Sequence, residues 1–296
     1  MSRVLITGST GFIGSNLTKR LIQDGVEVHI LLRPQSDLGM LQDIQGKIIK
    51  HIYDGTTASM REIVKKAKPD IVVHLAAFFV AEHNSCDIEP LVYSNILLGT
   101  QLLEAMKEEN IHYLVSAGTV WQHYKDEKYN PVDLYAATKQ AFDDIAAFYT
   151  KVSPLRVITL KLADTYGSHD PRRKIFSLFK QAAQTGQSLK MSKGEQTLGM
   201  VYIDDVVDAF INAMQQIMSK PEQYQEDFTV LPDKLYTLRE VVTLYEDISG
   251  MKINVEWGAR DYRVREVMRP YRGRSLEGWQ ARVDLPEGIS RMLQNE

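Results

Sequence analysis

The stretch TGSTGFIG, residues 7–14, constrains this chain more than any other. It follows a short apolar run, RVLIT (residues 3–7), and opens a segment in which Phe12, Ile13, Leu17, Leu21 and Ile22 recur at helical spacing. Glycines at a strand-to-helix junction have specific uses. Gly8 permits a tight turn, Gly11 lets a pyrophosphate approach the backbone, and Gly14 lets the helix pack against the strand. The helix N-terminus then turns free N–H groups toward the phosphates. Thr10, Phe12 and Ile13 complete the stretch as candidate cofactor contacts. A glycine-rich turn without a ligand is the plain alternative, and the strand before and helix after argue against it. Gly25 is expected to end the helix in a left-handed cap.

The same alternation continues. VEVHILL (26–32), KIIKHIY (47–53), DIVVHLA (70–76), IHYLVSA (111–117) and LRVITLKL (155–162) read as strands. Helical patterns lie between them: ASMREIVKKA after the third, about 91–109 before the fifth, and about 133–150 before the sixth. Strands alternating with helices predict an α/β fold, a Rossmann-type doubly wound parallel sheet. After about residue 166 the pattern weakens. We expect residues 1–165 to form the dinucleotide-binding domain, with segments near 200–230 also packing on it. Residues 166–296 are expected to form mainly a smaller substrate-binding lobe that shares its core.

Bulk properties exclude several classes. The chain has 296 residues, 44% hydrophobic and 25% charged, with a formal net charge of -3. Such a balance gives no basis for nucleic-acid or membrane-surface binding. The single cysteine, Cys86, rules out an internal disulfide and a cysteine-based metal cluster. No apolar run approaches the ~20 residues of a membrane-spanning helix. No His, Asp and Glu cluster has metal-ligand spacing. Asp204 and Asp205 read as helix-start residues. A cytoplasmic location is expected.

The end of the second strand selects between dinucleotides. An acidic residue there binds the ribose hydroxyls of NAD. This chain has LLRPQS instead, so Arg33 and Ser36 are candidates to hold a 2′-phosphate, favouring NADP(H) over NAD(H). Asp54, before Gly55, is a candidate for the adenine edge or a turn residue. In YAATK, Tyr135 and Lys139 are one helical turn apart and share a face. An ammonium near a phenol is expected to lower its pKa and make it a usable proton donor.

With these pieces the chain resembles the extended short-chain dehydrogenase/reductase family. The matching segments are TGSTGFIG, VVHLAA (72–77), YSNILLGTQLLEA with Asn95, YAATK, LKLADTYG (160–167) and VYIDDVVDAF (201–210), in the family's order. Within it, GTVWQHY followed by EKYNP and LYAATK is similar to a branch that reduces nucleotide-linked deoxysugars, of the CDP-abequose and CDP-paratose synthase type. The resemblance implies further cofactor contacts at Leu75, Ala76, Ala77 and Leu162, and a homodimer paired through the helices at about 91–109 and 133–150.

The chain departs from that pattern at the site. The family's hydroxyl, three residues before the Val120–Trp121 pair, is Ala117 here. Ser116 precedes it but points to the opposite strand face, whereas Thr119 shares the face of residue 117. Thr119 is therefore the expected catalytic hydroxyl beside Tyr135 and Lys139; capping the turn is its alternative role. The usual asparagine of the N-x-Y-G segment is Asp164, which would repel a diphosphate unless paired with Arg172, Arg173 or Lys174. The arginine before the VY strand is replaced by Leu198 and Gly199, so Lys174, Arg263 or another basic residue of the run at 261–274 is a candidate for its role. His123 is a further substrate-side candidate, and Trp121, Tyr124 and Tyr129 are candidate pocket aromatics.

The resulting expectation is NADPH-dependent reduction of a 4-keto group on a nucleoside-diphosphate-linked deoxyhexose, CDP favoured. The alternatives are a nucleotide-sugar epimerase or 4,6-dehydratase with retained NAD(P), a small-carbonyl reductase, and a non-catalytic dinucleotide sensor. Such sensors often lose the tyrosine or lysine that this chain keeps.

Overall fold

The computed structural model describes residues 1–295. Its centre is a seven-stranded parallel sheet. Strands β1 (Arg3–Thr7), β2 (Glu27–Leu32), β3 (Ile48–Ile52), β4 (Ile71–His74), β5 (Tyr113–Thr119) and β6 (Arg156–Leu162) lie within two residues of the segments predicted from sequence. Three short strands, β7 (Asp164–Tyr166), β8 (Leu189–Met191) and β9 (Thr197–Leu198), follow, then β10 (Met200–Tyr202). Strand β11 (Gln225–Val230) joins the sheet edge beside β6, giving the order β11-β6-β5-β4-β1-β2-β3. Two further short strands are β12 (Tyr236–Thr237) and β13 (Val255–Trp257).

The helices are α1 (Phe12–Gln23), α2 (Thr57–Ala67), α3 (Ile88–Val92), α4 (Leu98–Glu108), α5 (Leu134–Val152), α6 (Ile175–Thr185), α7 (Ile203–Ile217), α8 (Leu238–Ser249) and α9 (Leu285–Gln294). Gly25, at φ +78°, closes α1 as expected, with the Val26 N–H returning to the Leu21 carbonyl.

Strand alternation divides the interior. Val4, Ile6, Val73, Val115 and Leu160 face α1 and α7. Leu5, Val72, Leu114 and Val157 face α2, α4 and α5. The first of these cores continues without a break into the C-terminal part through Tyr166, Phe176, Phe179, Tyr245 and Ile289.

The helix predicted over 91–109 is not uniform. A π turn at Tyr93–Leu97 separates α3 from α4. Within it Asn95, fully buried, accepts the Phe78 N–H at 2.8 Å, donates to the Phe78 carbonyl at 3.0 Å, and donates to Thr138 Oγ1 on α5 at 2.9 Å. Hydropathy spacing carries no sign of this tie, because it depends on a loop and a helix distant in sequence. Asp204 and Asp205 do start α7. Asp205 also fastens the C-terminal segment to the α7 start, its carboxylate accepting the Arg282 and Val283 N–H groups at 3.1 and 2.9 Å.

Asp205→Ala leaves two backbone donors without their acceptor and is expected to cost about 2–3 kcal/mol, read from urea unfolding. Asp205→Asn, which keeps one acceptor oxygen, is expected to cost less.

Candidate active site

The glycine turn has the geometry its sequence implies. At Gly8 (φ +73°) a β-carbon would lie 2.5 Å from the Ala76 nitrogen, so β1 and the end of β4 meet there backbone to backbone. A β-carbon at Gly14 would collide with the Gly8 carbonyl. Gly11 differs: its φ of -81° suits any residue, and an added β-carbon would meet only the Gly8 oxygen, at 3.4 Å. The space in front of Gly11, at the uncapped start of α1, is therefore open to a phosphate group. Thr7 binds His74 Nδ1 at 2.8 Å and accepts the Ala76 N–H at 3.2 Å, fixing the 75–77 backbone beside the turn. These residues fit a dinucleotide.

Arg33, just beyond β2, is exposed, and its guanidinium has no ion-pair partner among the described residues. Its N–H donates to Ser36 Oγ at 2.9 Å, which brings the two candidate 2′-phosphate residues together. Asp54 Oδ1 accepts both the N–H and the hydroxyl of Thr56, at 2.9 and 2.7 Å, while Thr56 caps α2. Asp54 thus shapes the turn around Gly55 (φ +99°).

Asp133 caps α5 by accepting the Ala136 N–H at 2.7 Å, and Tyr135 and Lys139 follow on its first turns. Lys139 is 2% exposed, and burial pulls its ammonium down to about 8, with Asp143 opposing the shift. Burial raises the Tyr135 phenol well above its usual value, and Asp133 adds to the rise. The expected lowering by Lys139 is not what this environment produces: desolvation penalises the phenolate, and Asp133 is the charged group acting on it. One Asp133 oxygen, Oδ2, is buried without a hydrogen-bond partner, and burial lifts this carboxyl to about 6.

Strand β5 extends through Thr119, pairing Ala117 with Leu160 and Thr119 with Leu162. Ala117 and Thr119 therefore share a face. Ser116 lies on the other, fully buried, 2.9 Å from Thr159 Oγ1, which in turn donates to Asp143 at 3.1 Å. Ser116 is thus committed to the interface with α5. Thr119 does cap the turn: its hydroxyl oxygen accepts the Trp121 N–H at 3.2 Å. Gln122, which no sequence motif singles out, accepts the Thr119 N–H at 3.0 Å and donates to Gln140 and Asp143 of α5, both at 2.9 Å.

A cleft of about 870 Å³ lies between the sheet and the C-terminal part, lined by Phe79, Trp121, Asp164, Lys174, Arg263 and Arg265 among others. That volume suits a small-molecule ligand. The residues at its rim differ from the expectation in several ways. Arg172 does not pair with Asp164; it grips Asp170 through two nitrogens, each at 2.7 Å. Arg173 bonds Gln181. Burial raises the Asp164 carboxyl against the pull of Lys174, Arg172 and Arg263. Lys174 sits at the start of α6 with its ammonium 4.9 Å from the Phe79 ring centre. Arg263 pairs with Glu82 at 3.3 Å.

His123 does not line this cleft. Its ring stacks on Tyr271 at 4.0 Å, Nδ1 bonds the Glu127 carbonyl at 3.0 Å, and Nε2 bonds the Lys161 ammonium. Both nitrogens are engaged because residue 123 falls above Lys161, on the sheet face covered by α5. Tyr124 stacks under Arg265, and Tyr129 is exposed, so of the four expected pocket side chains only Trp121 lines the cleft. Phe79 lines it without having been anticipated, and Arg265 is a second basic residue of the 261–274 run that does so. Arg265 reaches Asn130, a contact between segments no local pattern connects.

A family model described as the NAD dependent epimerase/dehydratase family matches residues 4–226. CDP-abequose synthase of Yersinia pseudotuberculosis is 27% identical over 277 residues, 93% of this chain and 94% of that protein. UDP-glucose 4-epimerase of Mycolicibacterium smegmatis is 28% identical over 322 residues, 99% of this chain and 97% of its own length. Among solved structures, UDP-glucose-4-epimerase of Stenotrophomonas maltophila with bound NAD and formylated UDP-arabinopyranose superposes with a TM-score of 0.87 at 19% identity, covering 100% of this chain and 98% of the other. UDP-glucuronic acid 4-epimerase of Bacillus cereus gives 0.86 at 20% identity, covering 99% and 98%. The glycine turn, the Tyr135–Lys139 pair and a family match across three quarters of the sequence agree: this chain is an enzyme of the NAD-dependent epimerase/dehydratase family.

Proposed function

We propose that the enzyme reduces a 4-keto group on a nucleoside-diphosphate-linked deoxyhexose, with NADPH as hydride source and CDP as the favoured carrier. The observation that carries this is one cleft that brings aromatic and cationic side chains together: Phe79, packed against Tyr135, and Trp121 stand beside Lys174, Arg263 and Arg265. Relatives named CDP-abequose synthase in two genera support the choice of carrier.

Residues 1–165 hold the cofactor, with the Gly11 opening receiving its pyrophosphate and Arg33 with Ser36 its 2′-phosphate. A bound nicotinamide supplies the hydride. Tyr135 donates the proton to the developing alkoxide, and its raised pKa keeps that proton in place until negative charge forms next to it. Lys139 holds the nicotinamide ribose. Thr119 accepts the Trp121 N–H through a lone pair, which leaves its own O–H free to donate to the substrate oxygen. Residues 166–296 chiefly bind the nucleotide. The uncapped start of α6 beside Lys174 favours a diphosphate, and Arg263 and Arg265 take the part of the missing arginine.

The epimerase reading, with retained cofactor, is favoured by the epimerase relative at 28% identity. Dehydration is disfavoured, because Gly118 and Thr119 offer no acid at the strand end. We further propose a homodimer paired through α4, the π turn before it and α5, where Tyr93, Phe148 and Val152 expose apolar surface.

Calorimetry with NADPH and NADH, in the presence of CDP, UDP, GDP or dTDP, tests the assignment. NADPH preference with one favoured nucleotide is the expected result; selective, tightly retained NADH would sink the reductase in favour of the epimerase. Gly11→Ala is expected to weaken NADPH binding at least about tenfold with little change in melting temperature, since its methyl occupies the phosphate approach rather than the core. Tyr135→Phe is expected to lower kcat by about 10²–10⁴-fold. NADPH affinity should fall as pH rises through about 8, where Lys139 loses its proton, and that decline should vanish in Lys139→Met.

A further inference from the structure

Asp143 lies outside every motif that marks the fold, yet it stands one turn beyond Lys139 on α5, on the same face of the helix. Both its oxygens are committed as acceptors. Oδ2 takes the Gln122 amide N–H at 2.9 Å, and Oδ1 takes the Thr159 hydroxyl at 3.1 Å. Gln122 in turn accepts the Thr119 N–H at 3.0 Å, and Thr159 bonds Ser116 at 2.9 Å. Donors aimed at both oxygens of one carboxyl favour its ionised form, which only accepts. The end of β5 and the middle of β6 thus fix a negative charge beside the turn of α5 that carries Lys139.

The surrounding charges leave that carboxylate to Lys139. His74, which faces the lysine from β4, is neutral, held at about 3 by burial. Lys161 on β6 also acts on Asp143, but it is paired with Asp227 of β11 at 3.0 Å and bonded to His123 Nε2. Burial, then Lys161, keeps His123 itself below its usual range. Asp133 acts on Tyr135, and Asp144 is exposed and bound by Gln140. Two buried ammoniums therefore meet two carboxylates, one each. A buried ammonium without such a partner sheds its proton, because desolvation penalises the charged form.

We infer that Asp143 is a positioning residue of the active site, whose fixed carboxylate keeps Lys139 in the ammonium form. Its effect on the cofactor rests on the placement of Lys139 at the nicotinamide ribose; its effect on the lysine proton does not.

The test reads that proton directly. In enzyme labelled with carbon-13 at the lysine Cε, each lysine reports its own titration by NMR, and Lys139→Met assigns the Lys139 signal. In the native enzyme this signal is expected to titrate at about 8. Asp143→Asn removes the anion and should lower the midpoint by at least about one pH unit, whereas Asp143→Glu should leave it within about 0.5 unit. NADPH affinity near pH 8 should fall about fivefold in Asp143→Asn, as the ammonium fraction drops from about one half to about one tenth, and should hold in Asp143→Glu. Should Asp143→Asn not fold, Asp143→Gln against Asp143→Glu gives the same comparison, because both carry the extra methylene and differ only in charge. An unmoved Lys139 midpoint in the neutral variant, or an equal displacement by glutamate, overturns the inference. A lowered midpoint with unchanged NADPH affinity upholds it and overturns instead the placement of Lys139 at the nicotinamide ribose.

Discussion

At the first turn, bare backbone meets bare backbone, and the remaining architecture is built on that approach. The Gly8 α-carbon lies so close to the Leu75–Ala76 peptide that any side chain would overlap it, and Gly14 packs the helix onto the Gly8 carbonyl in the same way. Two consequences follow from one steric fact. Strands β1 and β4 pair along their length to the point where both open, and the α1 N-terminus is held over that opening. His74 and Thr7 bind across the same junction, with His74 kept neutral by burial, its pKa pulled down to about 3. A sheet opening with a fixed helix terminus above it is what a dinucleotide requires.

The tyrosine and lysine are held to that opening by polar ties rather than by hydrophobic packing alone. Asn95 links the Phe78 backbone to Thr138 on α5, and Gln122 links the end of β5 to Gln140 and Asp143 on the same helix. Lys139 lies between these anchors along α5, and Tyr135 lies just before the first of them. The two buried amides use nearly all their hydrogen-bonding capacity, so each fixes a geometry instead of merely filling space. Gly118 has its own reason here: a β-carbon at that position would lie 2.9 Å from the Gln122 side-chain oxygen.

The cleft collects charged side chains from several separate segments. Asp164 stands where the sequence resemblance predicts asparagine, and Lys174 is the first of the cations that hold its charge in check. The segment from Arg260 to Pro270 lines the cleft with Arg263 and Arg265, so positive charge reaches the site from the far end of the chain. Glu82, from the loop after β4, meets Arg263 across the cleft mouth. These cations lie on a long irregular segment, which neither period nor propensity describes.

The fold was largely legible because its signals are local: six strands bounded by turn residues, helices with regular apolar spacing, and glycines at a junction where only glycine fits. Strand alternation also separated Ser116 from Thr119 correctly, since a period of two needs no tertiary information. Other features depend on residues far apart in the chain. Asn95, in the π turn of the long helix, reaches Phe78; the clamp at Asp205 depends on residues 282–283, and the engagement of His123 on Lys161 and Tyr271. The raised Tyr135 phenol likewise reflects how completely its surroundings exclude water, not the lysine one turn along. Sterics and periodicity act between near neighbours, so the order of residues alone was enough to set the backbone's path and the place for a dinucleotide. Which side chains line the cleft was settled by folding, because burial and pairing there are imposed by segments that meet from distant parts of the chain.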